Sequence, residues 1–253
     1  MNTLLLTPAD LVPGETPERR WASVGGRRAD HLRRELSIAA GSRIRVGVLG
    51  AGLGWGEVTS VDDDRVGVAF AVTEPPPAKL PLTLVTGLPR PKVARRLLID
   101  AVAAGTERIV LVGTWRTPKS YWQSPLLQPD RIDEHVLHGL GFGGDCIAPR
   151  VELRPRFKPF AEDELPRVAR DATAVLATPE ADTDLRPAPP GPVVLCIGPD
   201  RGFTGYEQEL LRAAGCRAAT LGPRTLRVHA AVHVAIGRLF REATPAAHAL
   251  RVI

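Results

Sequence analysis

The hydrophobic positions after residue 81 follow two alternating patterns. Short apolar runs are typical of buried parallel strands, and longer stretches with apolar residues at helical spacing are typical of helices. The pattern predicts strands at 82–88, 108–113, 172–178, 191–198 and 216–222, and helices at 90–105, 129–140, 204–215 and 226–243. Strands that alternate with helices predict an α/β fold with a mostly parallel sheet covered on both faces.

The first 72 residues show a different pattern, in which partly alternating β-branched segments are separated by turn residues. They predict strands at 43–49, 56–62 and 65–72 and one helix at 26–36, which is typical of a small β-barrel. The sequence TEPPPAKLP at 73–81 is typical of a semi-rigid linker. We therefore predict two domains, a β-barrel at 1–74 and an α/β domain at 75–253.

The glycine-rich stretch VGVLGAGLGWGEV at 46–58 resembles a dinucleotide-binding loop in its glycine spacing. Such a loop needs a helix directly after its glycines, because the helix N-terminus binds the pyrophosphate. Here GEVTSVDDD at 56–64 predicts a strand followed by a turn. The stretch is therefore predicted to be a hairpin of the barrel, and NAD binding is rejected.

Composition excludes several classes of protein. With 44% hydrophobic residues the chain is typical of a folded protein. No apolar run approaches the roughly 18–20 residues that cross a bilayer, and the N-terminus lacks signal-peptide features, so a cytoplasmic location is expected. The three cysteines form no CxxC pair, and the histidine pairs 135/138 and 229/233 lack the glutamate of a zinc protease motif. No metal site is predicted.

Charge points toward RNA. The net charge is +5, and eight arginines lie between residues 19 and 45 against Asp30 and Glu35: Arg19, Arg20, Arg27, Arg28, Arg33, Arg34, Arg43 and Arg45. Such a cluster can neutralise phosphates and release counterions, which is the main source of nucleic-acid affinity. The alternative is an ordinary solvated surface in an arginine-rich chain.

Two Gly-Pro turns are the candidate ligand site. GPDRGF at 198–203 and LGPR at 221–224 each follow a predicted buried strand at its carboxyl end, where α/β proteins place ligands. Glycine permits close backbone approach and proline stiffens the turn. Such turns can bind an adenine edge and a ribose, and they suit a cofactor that brings its own reactivity. The alternative is a pair of purely structural turns.

The order of motifs resembles one known family. DHLRREL at 30–36, a basic glycine-rich hairpin, IGPDRGFTGYE at 197–207 and LGPRTLR at 221–227 resemble the RsmE-type SPOUT-class methyltransferases, which methylate N3 of a uridine in small-subunit (16S) ribosomal RNA. The resemblance spans nearly the whole chain. It implies a PUA-like barrel, a C-terminal α/β domain with a trefoil knot, S-adenosyl-L-methionine as cofactor, RNA as substrate and a homodimer.

The resemblance also implies site residues. Those matching the cofactor loops are Thr178, Pro179, Gly198, Pro199, Gly202, Leu221, Gly222, Arg224 and Leu226, and His31, Arg33 and Arg34 match the barrel motif that faces RNA. From the arginine cluster, Arg27 and Arg28 are predicted to bind RNA with them. Arg227 is the candidate cation that stabilises a uridine anion, and Asp200 or His229 the candidate proton acceptor.

Several positions depart from the family pattern on the substrate side. Asp200 and Arg201 replace glutamate and glycine, and His229 to Ala231 replace a Glu-Thr-Ala sequence. Two alternatives therefore stay open: the same scaffold with another RNA or a small molecule as methyl acceptor, and a non-catalytic RNA-binding relative.

Overall fold

The structure, a computed structural model, describes residues 3–13, 20–34 and 36–240. Its contacts divide the chain into two units, Met1–Ala78 with Val136–Ala148, and Lys79–His135 with Pro149–Ile253. The first unit thus takes a segment from the middle of the chain. The boundary between residues 74 and 75 stays a prediction.

The first unit is built around a six-stranded sheet. Its strands are β1 (Leu4–Leu6), β2 (Leu11–Val12), β3 (Arg20–Gly25), β4 (Arg43–Val48), β5 (Gly52–Val61) and β6 (Arg65–Glu74). Their order is β1-β4-β5-β6-β3-β2, with β1 parallel to β4 and the other pairs antiparallel. Helix α1 (Gly26–Arg34) buries Ala29 and Leu32 in the core of this unit.

The three strands and the helix predicted here are present as β4, β5, β6 and α1. The glycine-rich stretch is the β4–β5 hairpin, which turns at Gly50 with φ +77°, and strand β5 rather than a helix follows its glycines. A Cβ on Gly54 would lie 1.8 Å from the carbonyl oxygen of Ala71, so this glycine lets β5 and β6 approach closely. The rejection of a dinucleotide loop is therefore supported. Arg19 and Glu35 lie outside the described residues.

The second unit contains a parallel six-stranded sheet. Its strands are β7 (Leu80–Gly87), β8 (Thr106–Val112), β9 (Arg150–Arg154), β10 (Thr173–Ala177), β11 (Val193–Ile197) and β12 (Arg217–Ala219), in the order β12-β10-β11-β7-β8-β9. Its helices are α2 (Pro91–Ala103), the first part of α3 (Pro129–Gly143), α4 (Phe157–Pro159), α5 (Leu165–Ala169), α6 (Gly205–Ala213) and α7 (Val228–Leu239). A π-helical segment, Phe160–Glu164, joins α4 to α5.

Helices cover both faces of this sheet, as the alternating pattern predicts. On one face Val110 and Val194 pack with Phe160 and Leu211 in a single buried core. On the other face α2 contacts β8, α7 contacts β11, and the two helices contact each other. Because successive side chains of a strand point to opposite faces, strands buried on both sides read as continuous apolar runs.

The predicted strands and helices of the second unit are present, with shifted ends. The strand predicted at 216–222 covers only Arg217–Ala219, and the last helix begins at Val228 rather than at residue 226. The predicted end of that helix, residues 241–243, lies outside the described residues. Strand β9 and the helical segments from Phe157 to Ala169 were not predicted.

The segment after β10 is hydrogen-bonded to the end of β12 and to the end of α7. The N–H of Thr220 donates to the carbonyl of Thr183 (2.8 Å), and the carbonyl of Thr220 accepts from the N–H of Leu185 (2.9 Å). Further on, the N–H of Ala188 donates to the carbonyl of Leu239 at the end of α7 (3.0 Å). The segment after β10 is therefore held between β12 and the last helix.

Residues 136–148 belong to the first unit and bind its backbone. The carbonyl of Gly141 accepts from the N–H of Thr3 (3.1 Å), and the carbonyl of Cys146 accepts from the N–H of Gly50 (2.8 Å). They therefore support both the first strand and the β4–β5 turn. Within the described parts of the chain, no helix is long and apolar enough to span a bilayer.

Candidate cofactor and active site

Three loops at the carboxyl ends of neighbouring strands form the candidate site. They follow β10, β11 and β12, which lie side by side in the sheet. Together with residues that follow β7 and β8, these loops line a cavity of about 770 Å³. That volume lies in the range of roughly 300–1,000 Å³ that is usual for small-molecule sites.

The loop after β11 closes tightly on itself. The N–H of Gly202 donates to the carbonyl of Pro199 (2.7 Å), and Gly202 has φ +68°. A Cβ on Gly198 would lie 2.7 Å from both the Cα of Gly202 and the nitrogen of Phe203. Both positions therefore need glycine, one for its φ and the other for a close approach of backbone to backbone.

Pro199 packs this loop against the neighbouring strands. A Cβ on Gly87, the last residue of β7, would lie 2.4 Å from the Cδ of Pro199 and 2.9 Å from the Cγ2 of Thr114. Thr114 follows β8, so segments that follow three strands meet at this point. This packing helps to fix the loop in place.

The loop after β12 turns at Gly222, which has φ +110°. The hydroxyl of Thr220 accepts from the N–H of Gly222 (3.2 Å) and donates to its carbonyl (3.3 Å). The chain then passes Leu226 to Arg227, the exposed N-cap residue of α7. In the loop after β10, buried Thr178 donates its hydroxyl proton to the carboxylate of Glu180, and this bond lowers the pKa of Glu180.

The cavity brings together every residue predicted to bind cofactor or to act in catalysis. They are Thr178, Pro179, Gly198, Pro199, Asp200, Gly202, Leu221, Gly222, Arg224, Leu226, Arg227 and His229. Their individual roles stay predictions. What the structure establishes is that sequence segments more than forty residues apart share one ligand-sized space.

Basic side chains outnumber acidic ones around this cavity. Against Glu180 and Asp200 stand seven: Arg90, Lys92, Arg96, Arg116, Arg201, Arg224 and Arg227. Four of these residues were not predicted to belong to the site: Arg90, Lys92, Arg96 and Arg116. A signal was present, because RPKVARR at 90–96 directly follows a predicted strand. This charge favours a polyanionic substrate.

Asp200 is already engaged with Arg90. Its carboxylate accepts from the Nε of Arg90 (3.2 Å) and weakly from the backbone N–H of the same residue (3.4 Å). Since the Arg90 side chain is 61% exposed, the ion pair itself contributes little stability. Its effect is positional, because it joins the β11 loop to the N-terminus of α2.

His229 lies in the first turn of α7 and lines the cavity. Its Nδ1 is buried and has no partner among the described residues. His233 contacts the backbone carbonyl of His229 through its own Nδ1 (2.9 Å) and leaves the His229 ring untouched. Of the two predicted proton acceptors, His229 is therefore the one whose acceptor is not taken by an arginine.

The five residues predicted to face RNA lie in α1 of the first unit, and the cavity residues belong to the second unit. Arg28 is held inside its unit: it donates to both carboxylate oxygens of Asp10 (2.7 and 2.8 Å) and to the carbonyl of Leu5 (2.9 Å). This geometry gives Arg28 a structural role.

Arg33 is also bound within the first unit. It donates to the carboxylate of Asp30 (2.6 Å) and to the carbonyls of Asp62 (3.1 Å) and Asp63. Arg27 and Arg34 are exposed, and His31 is half-buried. RNA contact by these residues stays a prediction, and the structure favours Arg27 and Arg34 over Arg28 and Arg33.

The residues present fit a nucleoside-type cofactor. Stiff turns at Gly198–Gly202 and Gly222 bring main-chain groups to the cavity, and such groups can bind an adenine edge and ribose hydroxyls. No group of three or more His, Cys, Asp and Glu among residues 3–13, 20–34 and 36–240 could hold a metal ion. The fold and site together define an α/β protein that binds a small molecule in backbone loops beside a basic surface.

The chain belongs to the RNA methyltransferase family. The family described as RNA methyltransferase domain matches residues 76–240. The chain is also 31% identical, over 79% of its length and 77% of the relative's, to the ribosomal RNA small subunit methyltransferase E of Treponema pallidum. A second relative, ribosomal RNA small subunit methyltransferase E 1 of Borreliella burgdorferi, is 23% identical over 91% of this chain and 94% of its own.

Solved structures share the fold. A ribosomal RNA small subunit methyltransferase E from Neisseria gonorrhoeae, bound to S-adenosyl methionine, superposes with a TM-score of 0.72 at 18% identity, covering 95% of this chain and 97% of its own. A putative methyltransferase from Legionella pneumophila, also in complex with that cofactor, gives 0.73 at 19% identity, covering 95% and 98%. The predicted family and fold class, an N-terminal β domain followed by a SPOUT-type α/β domain, are confirmed.

Proposed function

We propose that this protein uses S-adenosyl-L-methionine to methylate N3 of a uridine in small-subunit ribosomal RNA. The observation that carries the proposal is the single cavity of about 770 Å³ lined by all the predicted cofactor and catalytic residues. It occurs in a chain of the RNA methyltransferase family whose relatives include ribosomal RNA small subunit methyltransferase E. When bound, the cofactor supplies an electrophilic methyl group on a sulfonium.

The loops supply position. The turns at Gly198–Gly202 and at Gly222 bind the adenosine portion through main-chain groups, and Pro199 keeps the first turn fixed against β7 and β8. Holding two reactants in the correct geometry can lower a barrier by up to about 7–11 kcal/mol. A rigid, backbone-built site of this kind needs little reactive side-chain chemistry, which explains the absence of a nucleophile in either Gly-Pro turn.

Two side chains act on the uridine: one stabilises its anion and the other accepts its proton. Arg227, at the N-cap of α7, stabilises the anion that forms as N3 loses its proton. His229, which lines the cavity, accepts that proton in this scheme, whereas the carboxylate of Asp200 is bound to Arg90. Asp200 holds the β11 loop in place in this scheme.

The proposal includes a homodimer and a cytoplasmic location. The family resemblance implies that a second copy completes each active site, and ribosomal RNA is a cytoplasmic substrate. Sedimentation equilibrium of the full chain tests the first of these, and a single monomeric species at working concentration would count against it.

The direct test uses RNA that lacks the modification. Small-subunit RNA from a strain with this gene deleted is incubated with the purified protein and labelled cofactor, and its nucleosides are analysed by mass spectrometry. We expect N3-methyluridine with the wild type and at least a hundredfold less with Arg227→Ala. The matched control is Gly237→Ala in α7, where an added Cβ meets no atom within 4 Å.

The other outcomes separate the alternatives. A methyl group on a different nucleoside, or on no RNA despite tight cofactor binding, would show that the scaffold has another acceptor. No measurable cofactor binding by calorimetry would show a non-catalytic RNA-binding protein. Either result would overturn the proposed reaction.

A further inference from the structure

Trp115 is displayed to solvent to an unusual degree. Its side chain is 86% exposed, the highest value among the large hydrophobic side chains of the described residues, and Tyr206 at 56% is the next. An exposed indole is a candidate for a binding surface, because tryptophan is enriched at interfaces.

The backbone beneath this indole is rigidly held. The N–H of Trp115 donates to the Oε1 of Glu207 (2.7 Å), and Glu207 is only 3% exposed. The other oxygen of Glu207 accepts from the N–H and hydroxyl of Thr204 (2.8 and 3.0 Å). Tyr206 immediately precedes Glu207 in the chain. The hydrogen bond from Trp115 to Glu207 therefore joins the two segments that carry the most exposed aromatic side chains of the described residues.

Trp115 is anchored to the same loop that forms the candidate cofactor site. Arg116, its neighbour, lines the cavity and donates from Nη1 to the carbonyls of Arg201 and Phe203. On the other side, the hydroxyls of Thr114 and Thr117 lie 2.9 Å apart, and Thr117 donates to the carbonyl of Leu88. Trp115 itself is not among the cavity residues, so it lies beside the site without filling it.

The charge around this surface identifies the kind of partner. The adjoining cavity carries seven basic side chains, Arg116 among them, against two acidic ones, and Lys119 lies four residues after Trp115. Aromatic side chains set among cations are how proteins bind unpaired nucleotides, by stacking the base and pairing the phosphate.

We propose that Trp115 stacks on a nucleobase of the RNA substrate, next to the nucleotide that enters the cavity. This inference rests on the proposed function for the identity of the ligand. It assigns the segment after β8 a substrate-binding role that is separate from the cofactor loops. It also explains why an indole stays exposed on a backbone that a buried carboxylate fixes.

The experiment compares Trp115→Ala, Trp115→Phe and a control, Trp122→Phe, in the full chain. Trp122 is half-buried in the 3-10 helix Lys119–Gln123. Binding of a fluorescein-labelled, uridine-rich single-stranded RNA is measured by anisotropy, and cofactor binding by calorimetry. Loss of one base–aromatic stack should weaken RNA binding by about 5- to 150-fold in Trp115→Ala. Trp115→Phe keeps an aromatic face and should lose less than about fivefold, and Trp122→Phe should match the wild type. Cofactor affinity should be unchanged throughout.

Several results would overturn the proposal. RNA affinity of Trp115→Ala equal to wild type is one, and Trp115→Phe as defective as Trp115→Ala is another. If sedimentation shows that Trp115→Ala dissociates a wild-type dimer, then a second copy occupies this surface and the proposal is wrong.

Failure here differs from failure of the proposed reaction. If the wild type methylates uridine while Trp115→Ala does so with the same kcat/KM and RNA affinity, the stacking role fails and the reaction stands. If the wild type binds RNA through Trp115 and transfers no methyl group, the reaction fails and the stacking role stands.

Discussion

Individual glycines set the geometry of the cofactor loops, and Gly222 allows the sharpest test. Its φ of +110° strains any residue with a side chain, although a Cβ there would meet nothing closer than the Nη2 of Arg238 at 3.9 Å. Its effect on a ligand therefore comes from backbone conformation more than from filled space. Strain of this kind costs about 1–3 kcal/mol.

We expect Gly222→Val to weaken binding of S-adenosyl-L-methionine at least tenfold, because the loop must change conformation to relieve the strain. Calorimetry measures the affinity, and circular dichroism shows whether the fold is kept. Gly237→Ala is the control, since Gly237 lies in α7 with open space around it and should bind as wild type. An affinity of Gly222→Val within twofold of wild type would remove this loop from the cofactor site.

One carboxylate of the first unit, Asp10, makes the stability of that unit depend on pH. Burial alone raises the pKa of Asp10, but hydrogen bonds from Arg28 and Thr7 outweigh it and hold the pKa below its ordinary value. A depressed pKa means that the stabilisation is complete above the unfolded value of about 3.9 and is lost as pH falls through the folded value.

Asp10→Asn should therefore lower the free energy of unfolding near neutral pH by about 1.5–3 kcal/mol, the usual contribution of hydrogen bonds to a charged group. The difference from wild type should shrink below about pH 4, where the native carboxylate begins to protonate. Urea unfolding at pH 7, 5 and 3 measures it. A difference that stays constant over this range would show that the charge of Asp10 is not the stabilising feature.

At the scale of elements, helix α6 depends on its N-terminal capping box. Thr204 and Glu207 bind each other's backbone N–H groups, and Glu207 additionally accepts from Trp115. Because Glu207 is buried, its removal leaves donors without water to replace it.

Glu207→Ala should cost about 1.5–3 kcal/mol of stability, whereas Glu209→Ala, on the exposed face of the same helix, should change it by less than about 0.5 kcal/mol. Thermal and urea unfolding measure both variants. Equal effects of the two substitutions would mean that helix propensity, and not the buried carboxylate, determines the loss.

Elements in which hydrophobic residues recur at a regular spacing could be predicted from sequence, and elements without such a spacing could not. Strands such as β8 and β11 are buried on both faces and read as continuous apolar runs. Strand β9 lies at the sheet edge with the sequence RVELR, and its Glu152 accepts hydrogen bonds from Arg108 and Arg154. Because its polar residues interrupt any apolar run, it was not predicted as a strand. The helical segment from Phe157 to Ala169 contains two prolines. Since proline is unfavourable inside a helix, no helix was predicted there.

The candidate site could be predicted in part for the same reason. The Gly-Pro turns are local features, and their position after buried strands placed them at the ligand edge. Arg90 and Arg116 reach the cavity only because β7 lies beside β11 and β8 lies beside β7, and strand order is not a local property of the sequence. The structural roles of Arg28 and Arg33 depended on long-range partners in the same way.

At the scale of the whole molecule, the arginine cluster of the first unit can be divided into structural and exposed members. Replacing Arg34 with alanine should weaken RNA binding and reduce the slope of log affinity against log salt by about 0.7–0.9, since one phosphate contact is lost. Arg33→Ala should instead lower the unfolding temperature, because Asp30 and the carbonyls of Asp62 and Asp63 lose their donor.

Salt-dependent RNA binding by anisotropy and unfolding by circular dichroism separate the two arginines. A salt slope that is unchanged in Arg34→Ala would place the RNA-binding surface elsewhere in the molecule. Full stability of Arg33→Ala would contradict the structural role.

The segment 136–148 also constrains how this gene can change. Thr3 and Gly50 donate to carbonyls that are encoded more than ninety codons downstream, beyond the proline linker. A recombination event at that linker would exchange the N-terminal strands while leaving their acceptors behind. The N-terminal strands therefore cannot be exchanged on their own, because residues 136–148 of the same gene would have to move with them.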